Sequence, residues 1–410
     1  MIQPPNLPFN PKPASILHLD INSCFATIEQ QANPLLRHRP IAVAAYNQPN
    51  CCIIAPSIEA KRLGIKVGTR VGQAKAICPN ITILEPDPDK YRFIHHQLKN
   101  LLDSYATLVT PKSIDEFALD FSDQPSIDLP KISLEIKQRI KQIGEYITVS
   151  IGLGPSRFLA KTAAGLHKPD GLDQITIHNF YSIYNQLKLT DLNGINLKNQ
   201  ARLNLVGIYS VLDFYNASYH RLFSAFRSVL AQYWFTRLRG YEVDDRQFDR
   251  KSFGHSYVLP QPLTKDKTLP IIQKLTHKAA LRLRRAGFQT QSLSLGFLYT
   301  DHSSWHQQHR LPQPLFNTSR IFKQLLHLSS SSPNKPIKTI FISLQSLVSQ
   351  DYHQLSLFQD SLKDHRLTHA TDLINHGWGD FTITPARMLT ASQAAPDRIA
   401  FGQDLLRNYP

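Results

Sequence analysis

Residues 113 to 122 read SIDEFALDFS, a stretch that combines a strand-like alternation with two adjacent acids. The apolar positions typical of a half-buried strand are Ile114, Phe117 and Leu119. Because neighbouring side chains of a strand point to opposite faces, we expect Asp115 or Glu116 to face inward. A buried carboxylate is costly unless it is neutralised, hydrogen-bonded or bound to a cation. The stretch therefore predicts a cation site, with the cap of a hairpin turn as the alternative.

The charge of the whole chain indicates a polyanionic partner. The 410 residues carry a formal net charge of +15, and the sequence pI is about 9.6, so nucleic acid is the simplest expected partner. A chain of this length predicts two to four domains. Its four cysteines show no C-x-x-C spacing, which argues against a zinc site and a disulfide framework. The proline-rich first residues and the absence of a long apolar run favour a cytoplasmic protein that neither is secreted nor spans a membrane.

A second acid lies at the end of another predicted strand. Residues 15 to 21, SILHLDI, read as a strand that places Asp20 near its carboxyl end, and Asn22-Ser23 then predicts the start of a helix. Asp20 and the pair Asp115-Glu116 would thus lie on separate strands of a mixed α/β layer. Three carboxylates held in this way are suited to two divalent ions. The pattern fits a Mg²⁺ nucleotidyl transferase and a carboxylate-dependent nuclease equally well.

Two later regions point to nucleic acid. Residues 177 to 240 are predicted to be all-helical and include a stretch that resembles a helix-hairpin-helix, a device that binds DNA phosphates. Residues 251 to 340 hold 13 Lys and Arg against two acids, in the order strand, helix, strand, loop, helix, strand. With so few acids nearby, we expect Arg282, Arg284 and Arg285 to contact phosphates. From about residue 351 the chain is polar and is predicted to be loosely ordered.

Together these motifs resemble Y-family DNA polymerases, and more closely the UmuC-type branch than the DinB type. The resemblance covers roughly residues 14 to 350 and rests on motifs in the family's order, namely HLDINSCFATIEQ (18 to 30), CCIIAPSIEAKRLGIKVG (51 to 68), AKAICP (74 to 79), SIDEFALD (113 to 120) and SIGLGPSRFLAKTAAGLHKPDGL (150 to 172). It implies an α+β multidomain, right-hand polymerase. The expected parts are a palm (14–29 and 83–176), fingers (30–82), a helical thumb (177–240), a linker (241–250), a little finger (251–350) and a tail (351–410).

The resemblance also implies roles for individual residues. The catalytic and metal-binding carboxylates would be Asp20, Asp115 and Glu116, with the backbone carbonyl of Ile21 as a further metal ligand. The expected cofactor is a pair of Mg²⁺ ions, with Mn²⁺ as the expected substitute. Phe25 would be the steric gate that excludes a ribose 2'-hydroxyl. The triphosphate would be bound by Ser57, Lys61 and Lys168, and the DNA by Lys251, Arg282, Arg284 and Arg285.

The resemblance implies partners as well. Primer-template DNA and deoxynucleoside triphosphates are the expected substrates of a monomeric enzyme in the bacterial cytoplasm, associated with the nucleoid. QLSLF resembles a sliding-clamp-binding motif, whose contact residues would be Gln354, Leu355, Leu357 and Phe358. UmuD-like or RecA-like activators are further expected partners.

Two departures from the family pattern affect the expected activity. Many relatives have Tyr and Arg where this chain has Ile58 and Lys61, so a hydroxyl is lost and a bidentate fork becomes a point charge. Asn22 replaces a second Asp that many members carry, whereas the three expected metal ligands are retained. The sequence thus predicts an error-prone translesion polymerase, with a catalytically inactive accessory protein that binds DNA and the clamp as the alternative.

Overall fold

The structure is a computed structural model that describes residues 7–244, 249–350 and 361–399. QLSLF at 354–358 lies outside the described residues. Among the described residues, contacts divide the chain into one compact unit of residues 7–244 with 398–399 and a second unit of residues 249–397. In this described part of the chain, no helix is long and apolar enough to cross a membrane.

The first part of the first unit alternates strands with helices. In chain order its elements are β1 (Ile16–Ile21), α1 (Cys24–Ala32), β2 (Ile41–Ala44), β3 (Ile53–Pro56), α2 (Ile58–Arg62), α3 (Val71–Ile77), β4 (Thr82–Leu84), α4 (Pro88–Leu102), β5 (Leu108–Pro111), β6 (Glu116–Asp120), α5 (Leu129–Ile143), β7 (Val149–Gly154), α6 (Arg157–Ala163) and β8 (Leu172–Gln174). A short 3-10 helix, Pro34–Leu36, follows α1.

The main sheet of this unit has five strands in the order β5-β6-β1-β7-β8, with β1 at its centre. β1 pairs antiparallel with both β6 and β7, and its residue Asp20 lies directly opposite Glu116. The side chains of Leu17 and Leu19 are fully buried beneath the helices, which pins the register because a slip by one residue would expose them. The alternating side chains of β1, including His18 and Asp20, therefore lie on the opposite face.

A small three-stranded sheet, ordered β3-β2-β4, forms a separate layer with α2 and α3. It has its own small core of buried residues that includes Ala42, Ala44, Ile53 and Ile65. The two helices are short, at five and seven residues. This layer corresponds to the segment expected to form the fingers.

The rest of the first unit is helical. Its elements are α7 (Phe180–Gln186), α8 (Leu197–Leu205), α9 (Val211–Asn216), α10 (Tyr219–Phe226) and α11 (Leu230–Arg237). The helices share a core built around Phe214 and Trp234. Gly194, in the turn before α8, has a φ of 101°, a conformation that favours glycine. The helical thumb in the expected fold is thereby confirmed.

The second unit is a four-stranded antiparallel sheet with helices. Its elements are β9 (Ser252–Leu263), α12 (Lys265–Arg285), β10 (Phe288–Tyr299), β11 (Ser304–Leu315), α13 (Thr318–Ser329), β12 (Ile337–Ser349) and α14 (Ser361–Trp378). The strand order is β11-β10-β12-β9. The prediction of a loop between β10 and α13 was wrong, because this segment contains the strand β11. That edge strand, SWHQQHRLPQPL, is largely exposed, so it lacks the apolar alternation by which a strand is recognised.

The expectation that the chain is loosely ordered after about residue 351 was wrong for residues 361–397. α14 and a 3-10 helix, Ala386–Ala391, pack on the second unit, and Ala391 joins its core. Lys274 of α12 donates a hydrogen bond to the backbone oxygen of Ser392 at 2.6 Å. Contacts between residues more than a hundred positions apart leave no local signal in the sequence.

Candidate active site

A cavity opens at the end of β1 and is bounded by residues of the main sheet, α1 and α2. The expected site residues that line it are Asp20, Ile21, Phe25, Lys61, Asp115 and Lys168. Apolar residues, among them Ile54, Ile58 and Val67, line it from the side of the small sheet. The cavity thus brings carboxylates and lysines together beneath an apolar wall.

Backbone pairing holds the three acids close to one another. Asp20 faces Glu116 across the β1–β6 pair. Asp115 lies just before β6, where its backbone oxygen accepts a hydrogen bond of 2.9 Å from the backbone N–H of Ile21. The Ser113 hydroxyl donates to Asp115 Oδ1 at 2.5 Å. Asp115 is thus the last residue of the turn, and Glu116 is the first residue of β6.

Each of two carboxylates is paired with a lysine. Lys168 Nζ lies 2.7 Å from Asp20 Oδ2, and Lys161 Nζ lies 2.5 Å from Glu116 Oε2. Burial raises the pKa of Asp20 to about 6, while Lys168 opposes this shift. Lys161 was missed by the sequence analysis; it lies on α6, whereas Lys168 lies in the segment that follows this helix.

His18 is a second residue that the sequence analysis missed. Its Nε2 lies 3.7 Å from Glu116 Oε2 and has no hydrogen-bond partner among the described residues. Burial, together with Lys161 and Lys168, lowers the pKa of His18 to about 3, so the imidazole is neutral. Its alternation with Asp20 along β1 was the signal that could have identified it.

The donor set suits a hard divalent cation. One ligand atom each of His18, Asp20 and Glu116 lies within 4.8 Å of the others. Mg²⁺ prefers carboxylate oxygens, so His18 is the least suited of the three. Asp115 and Ile21 line the first cavity, whereas Glu116 lines a second one, and Asp20 lines both. Asp20, Asp115, Glu116 and the backbone carbonyl of Ile21 are the residues that would hold divalent cations here.

Phe25 forms part of a stack beside the cavity. Its ring is buried in the first turn of α1 and stacks on Tyr91 of α4, with ring centroids 4.3 Å apart and the planes at 10°. The Tyr91 hydroxyl donates a hydrogen bond of 2.9 Å to Glu29 Oε1, and Lys90 Nζ lies 2.9 Å from Glu29 Oε2. The ring of Phe25 is therefore fixed where it can limit the shape of a ligand.

The expected triphosphate-binding residues do not all reach the cavity. Ser57 is fully buried, and its hydroxyl accepts a hydrogen bond from the Ala60 backbone N–H as the cap of α2. It is not among the residues that line the cavity, so its expected phosphate contact is not supported. Lys61 does line the cavity, and partial burial together with Lys168 lowers its pKa. Arg62 lines it too and was missed.

The basic residues of the second unit differ from expectation. Arg284 donates to both carboxylate oxygens of Asp372 in α14, at 2.6 and 2.8 Å, and its side chain is 9% exposed. Arg285 lies 3.6 Å from Asp380, and Arg282 donates to the backbone oxygen of Gly254. The premise that few acids are near enough to pair with these arginines was therefore wrong for Arg284 and Arg285. Lys251 is exposed, and contact of Lys251 and of the three arginines with DNA stays a prediction.

Comparisons with known proteins place the chain in a family. Residues 19–165 match the impB/mucB/samB family, and residues 250–357 match the C-terminal domain of the same family. The chain is 27% identical over 405 residues to DNA polymerase IV 1 of Bacillus subtilis, covering 96% of this chain and 97% of that protein. It is 29% identical over 390 residues to DNA polymerase IV of Moorella thermoacetica, covering 92% of this chain and 97% of the relative.

Solved structures show the same fold. A Y-family DNA polymerase chimera of Dbh and Dpo4 superposes with a TM-score of 0.69 at 23% identity, covering 82% of this chain and 99% of the chimera. DinB from Sulfolobus solfataricus superposes with a TM-score of 0.55 at 22% identity, covering 80% and 98%. A closer relation to the UmuC-type branch stays a prediction. The two family matches and the fold show that this chain belongs to the impB/mucB/samB family, whose members are Y-family DNA polymerases.

Proposed function

We propose that this protein is a translesion DNA polymerase that adds deoxynucleotides to a primer 3'-hydroxyl opposite damaged template. The observation that carries the proposal is the position of Asp20 between two cavities, with Asp115 on one side and Glu116 on the other. Membership of a DNA polymerase family supports it independently. The first cavity would take the incoming nucleotide and the second the primer terminus.

The acids would hold two Mg²⁺ ions, or Mn²⁺ in their place, with the Ile21 carbonyl as a further ligand. Bound there, the ions would lower the pKa of the attacking hydroxyl and stabilise the charge that develops on the phosphate. Lys61 and Lys168 line the nucleotide cavity and would bind the triphosphate by charge. Phe25, held by Tyr91, would exclude a ribose 2'-hydroxyl.

The small size of the fingers supports error-prone synthesis across lesions. α2 and α3 have only five and seven residues, and apart from Lys61 and Arg62 the residues that this layer gives to the cavity are apolar. Such a wall makes few polar contacts by which it could test the shape of a base pair. We therefore include low fidelity and tolerance of damaged templates in the proposed function.

The proposed partners extend beyond the substrates. Primer-template DNA would contact the turn before α8 in the helical thumb, together with Lys251, Arg282, Arg284 and Arg285. The sliding clamp would bind QLSLF at 354–358. UmuD-like or RecA-like activators, a role in the SOS response and a place in the bacterial nucleoid complete the proposal. Each of these stays a prediction that rests on the family resemblance.

A second candidate is an inactive accessory protein that binds DNA and the clamp. The cavity favours it in one respect, because Ile58 presents no hydroxyl and Lys61 no guanidinium to a triphosphate. Retention of all three carboxylates, with Asp20 lining one cavity beside Asp115 and another beside Glu116, argues against it.

Primer extension separates the candidates. The assay uses a labelled primer on an undamaged and an abasic template with Mg²⁺ and all four triphosphates. It compares wild type with the Asp115→Ala, Glu116→Ala double variant. Extension by wild type alone is the expected result. A wild-type protein that binds the template and adds nothing, with clamp and activators present, supports the accessory candidate, and a shortened primer indicates a nuclease.

A further inference from the structure

Lys161 is placed by a short helix that packs beneath the catalytic strands. α6 begins at its N-cap residue Ser156, whose hydroxyl accepts a hydrogen bond from the Leu159 backbone N–H. The helix buries Leu159 and Ala160, which leaves the Lys161 side chain 32% exposed on the side of Glu116. The ammonium is therefore held beside the carboxylate by the packing of the whole helix.

The pairing of Lys161 with Glu116 is close. The Nζ–Oε2 distance is 2.5 Å, and the carboxylate is 17% exposed. His18 approaches the same oxygen from within the sheet, but its neutral imidazole brings no charge. Among the described residues, Lys161 is thus the cation that neutralises Glu116. A divalent ion that used Glu116 Oε2 would meet this ammonium at the same oxygen.

The second cavity is a place where the Lys161 ammonium could contact a ligand other than Glu116. It runs from Asp20, Glu116, Lys161 and Lys168 to the turn that precedes α8, residues 190–196. One end of the cavity therefore holds two carboxylates, each paired with a lysine, and the other is formed by residues 190–196, which include Asp191. A nucleic-acid strand that ended at the carboxylates would bring its last phosphate between them, within reach of Lys161.

We propose that Lys161 couples metal binding to primer binding. Without DNA, its ammonium occupies Glu116 and weakens the binding of the ion on that side. When the primer terminus fills the second cavity, the Lys161 ammonium forms an ion pair with the terminal phosphate instead of with Glu116. The Glu116 carboxylate is then free to bind the ion. Lys161 is on this account a positioning residue, and its role rests on the proposed polymerase function.

The test is direct measurement of Mn²⁺ binding by electron paramagnetic resonance, with and without primer-template DNA. Without DNA, Lys161→Met should bind Mn²⁺ about tenfold more tightly than wild type, because one positive charge close to a partly screened site is removed. Addition of primer-template should strengthen binding in wild type and change it much less in the variant. Lys161→Gln should behave like Lys161→Met. The control for loss of a surface charge is Lys141→Met, since Lys141 is an exposed residue of α5.

Equal Mn²⁺ affinity of Lys161→Met and wild type without DNA would overturn the inference, as would equal strengthening by DNA. A fault in the proposed function looks different. If the proposed function is wrong, Glu116→Gln would bind Mn²⁺ with the affinity of wild type, and wild type would not extend a primer. Both results are independent of the effect of Lys161→Met on Mn²⁺ binding. Thermal melting of each variant establishes that the comparison is made on folded protein.

Discussion

The ring of Tyr91 lies flat against the ring of Phe25, with centroids 4.3 Å apart and planes 10° from parallel. Tyr91 is in turn tied to Glu29, one helical turn beyond Phe25, by a 2.9 Å hydrogen bond. The position of Phe25 at the cavity is therefore set by two residues that do not line it. Sugar selectivity should depend on the stack as well as on Phe25.

Removing the stack should relax sugar selectivity. Tyr91→Leu leaves Phe25 free to turn away from the sugar, so the preference for deoxynucleotides over ribonucleotides should fall about tenfold, or about 1.4 kcal/mol. Tyr91→Phe retains the stacked ring and should stay close to wild type. The measurement is the ratio of kcat/KM values for the two sugars. In a Phe25→Val background, Tyr91→Leu should have no further effect, and an equal further fall would contradict the account.

Changing the charge geometry at Lys61 should alter nucleotide binding. Lys61→Ala removes a charge-assisted contact, so KM for the incoming nucleotide should rise about tenfold to a hundredfold. Lys61→Arg offers two donors in a fork and should lower KM below the wild-type value. Steady-state incorporation on an undamaged template checks both, with exposed Lys66→Ala as the control. Unchanged KM in Lys61→Ala would remove this residue from the triphosphate site.

Breaking the pair between Arg284 and Asp372 should loosen the second unit. Asp372→Ala leaves a guanidinium that is 9% exposed without its bidentate partner, at a cost of about 3 kcal/mol. The matched control is Asp364→Ala, which removes the acid that pairs with Arg320. This ion pair is more exposed than that of Arg284, so its loss should cost about 0.5 kcal/mol. Hydrogen exchange of the α12 amides reports both changes. Equal protection in the two variants would show that the Arg284 pair contributes no more than a surface contact.

The buried imidazole of His95 should make the first unit less stable in mild acid. Burial lowers the pKa of His95 to about 4, and its Nδ1 lies 2.9 Å from the Ile114 backbone oxygen. Below about pH 6.5 the His95 imidazole binds a proton in the unfolded chain but not in the folded chain. The free energy of unfolding therefore decreases as the pH falls from about 6.5 to about 4. His95→Gln should reduce this loss, measured by urea unfolding across that range. His96→Gln is the control for the loss of an imidazole, and an unchanged slope in His95→Gln would contradict the assignment.

The regular parts of the fold could be predicted because their signals are local. The alternation around Asp115 and the strand that ends near Asp20 are visible in single stretches of sequence, and the two do pair side by side. β11 escaped prediction because an exposed edge strand has no apolar face. α14 escaped because what holds it in place is pairing with distant arginines such as Arg284.

The site was predicted less evenly than the fold. Residues on the two acid-bearing strands came together because strand pairing fixes their geometry. The phosphate contact of Ser57 stays a prediction, since a serine before a short helix serves equally as a cap, and here it does. Lys161 was missed because its importance lies in its 2.5 Å approach to Glu116, which depends on how α6 packs.

The most direct test of the central claim is single-turnover incorporation of one deoxynucleotide by Asp115→Asn, with exposed Asp123→Asn as the control. If Asp115 holds an ion at the nucleotide cavity, the variant should bind primer-template normally. Its rate should fall about a thousandfold or more, since metal stabilisation of the transition state supplies several kcal/mol. Asp123→Asn should match wild type. A wild-type rate in Asp115→Asn, or a wild-type protein that incorporates nothing with Mg²⁺ and its partners present, would contradict the account.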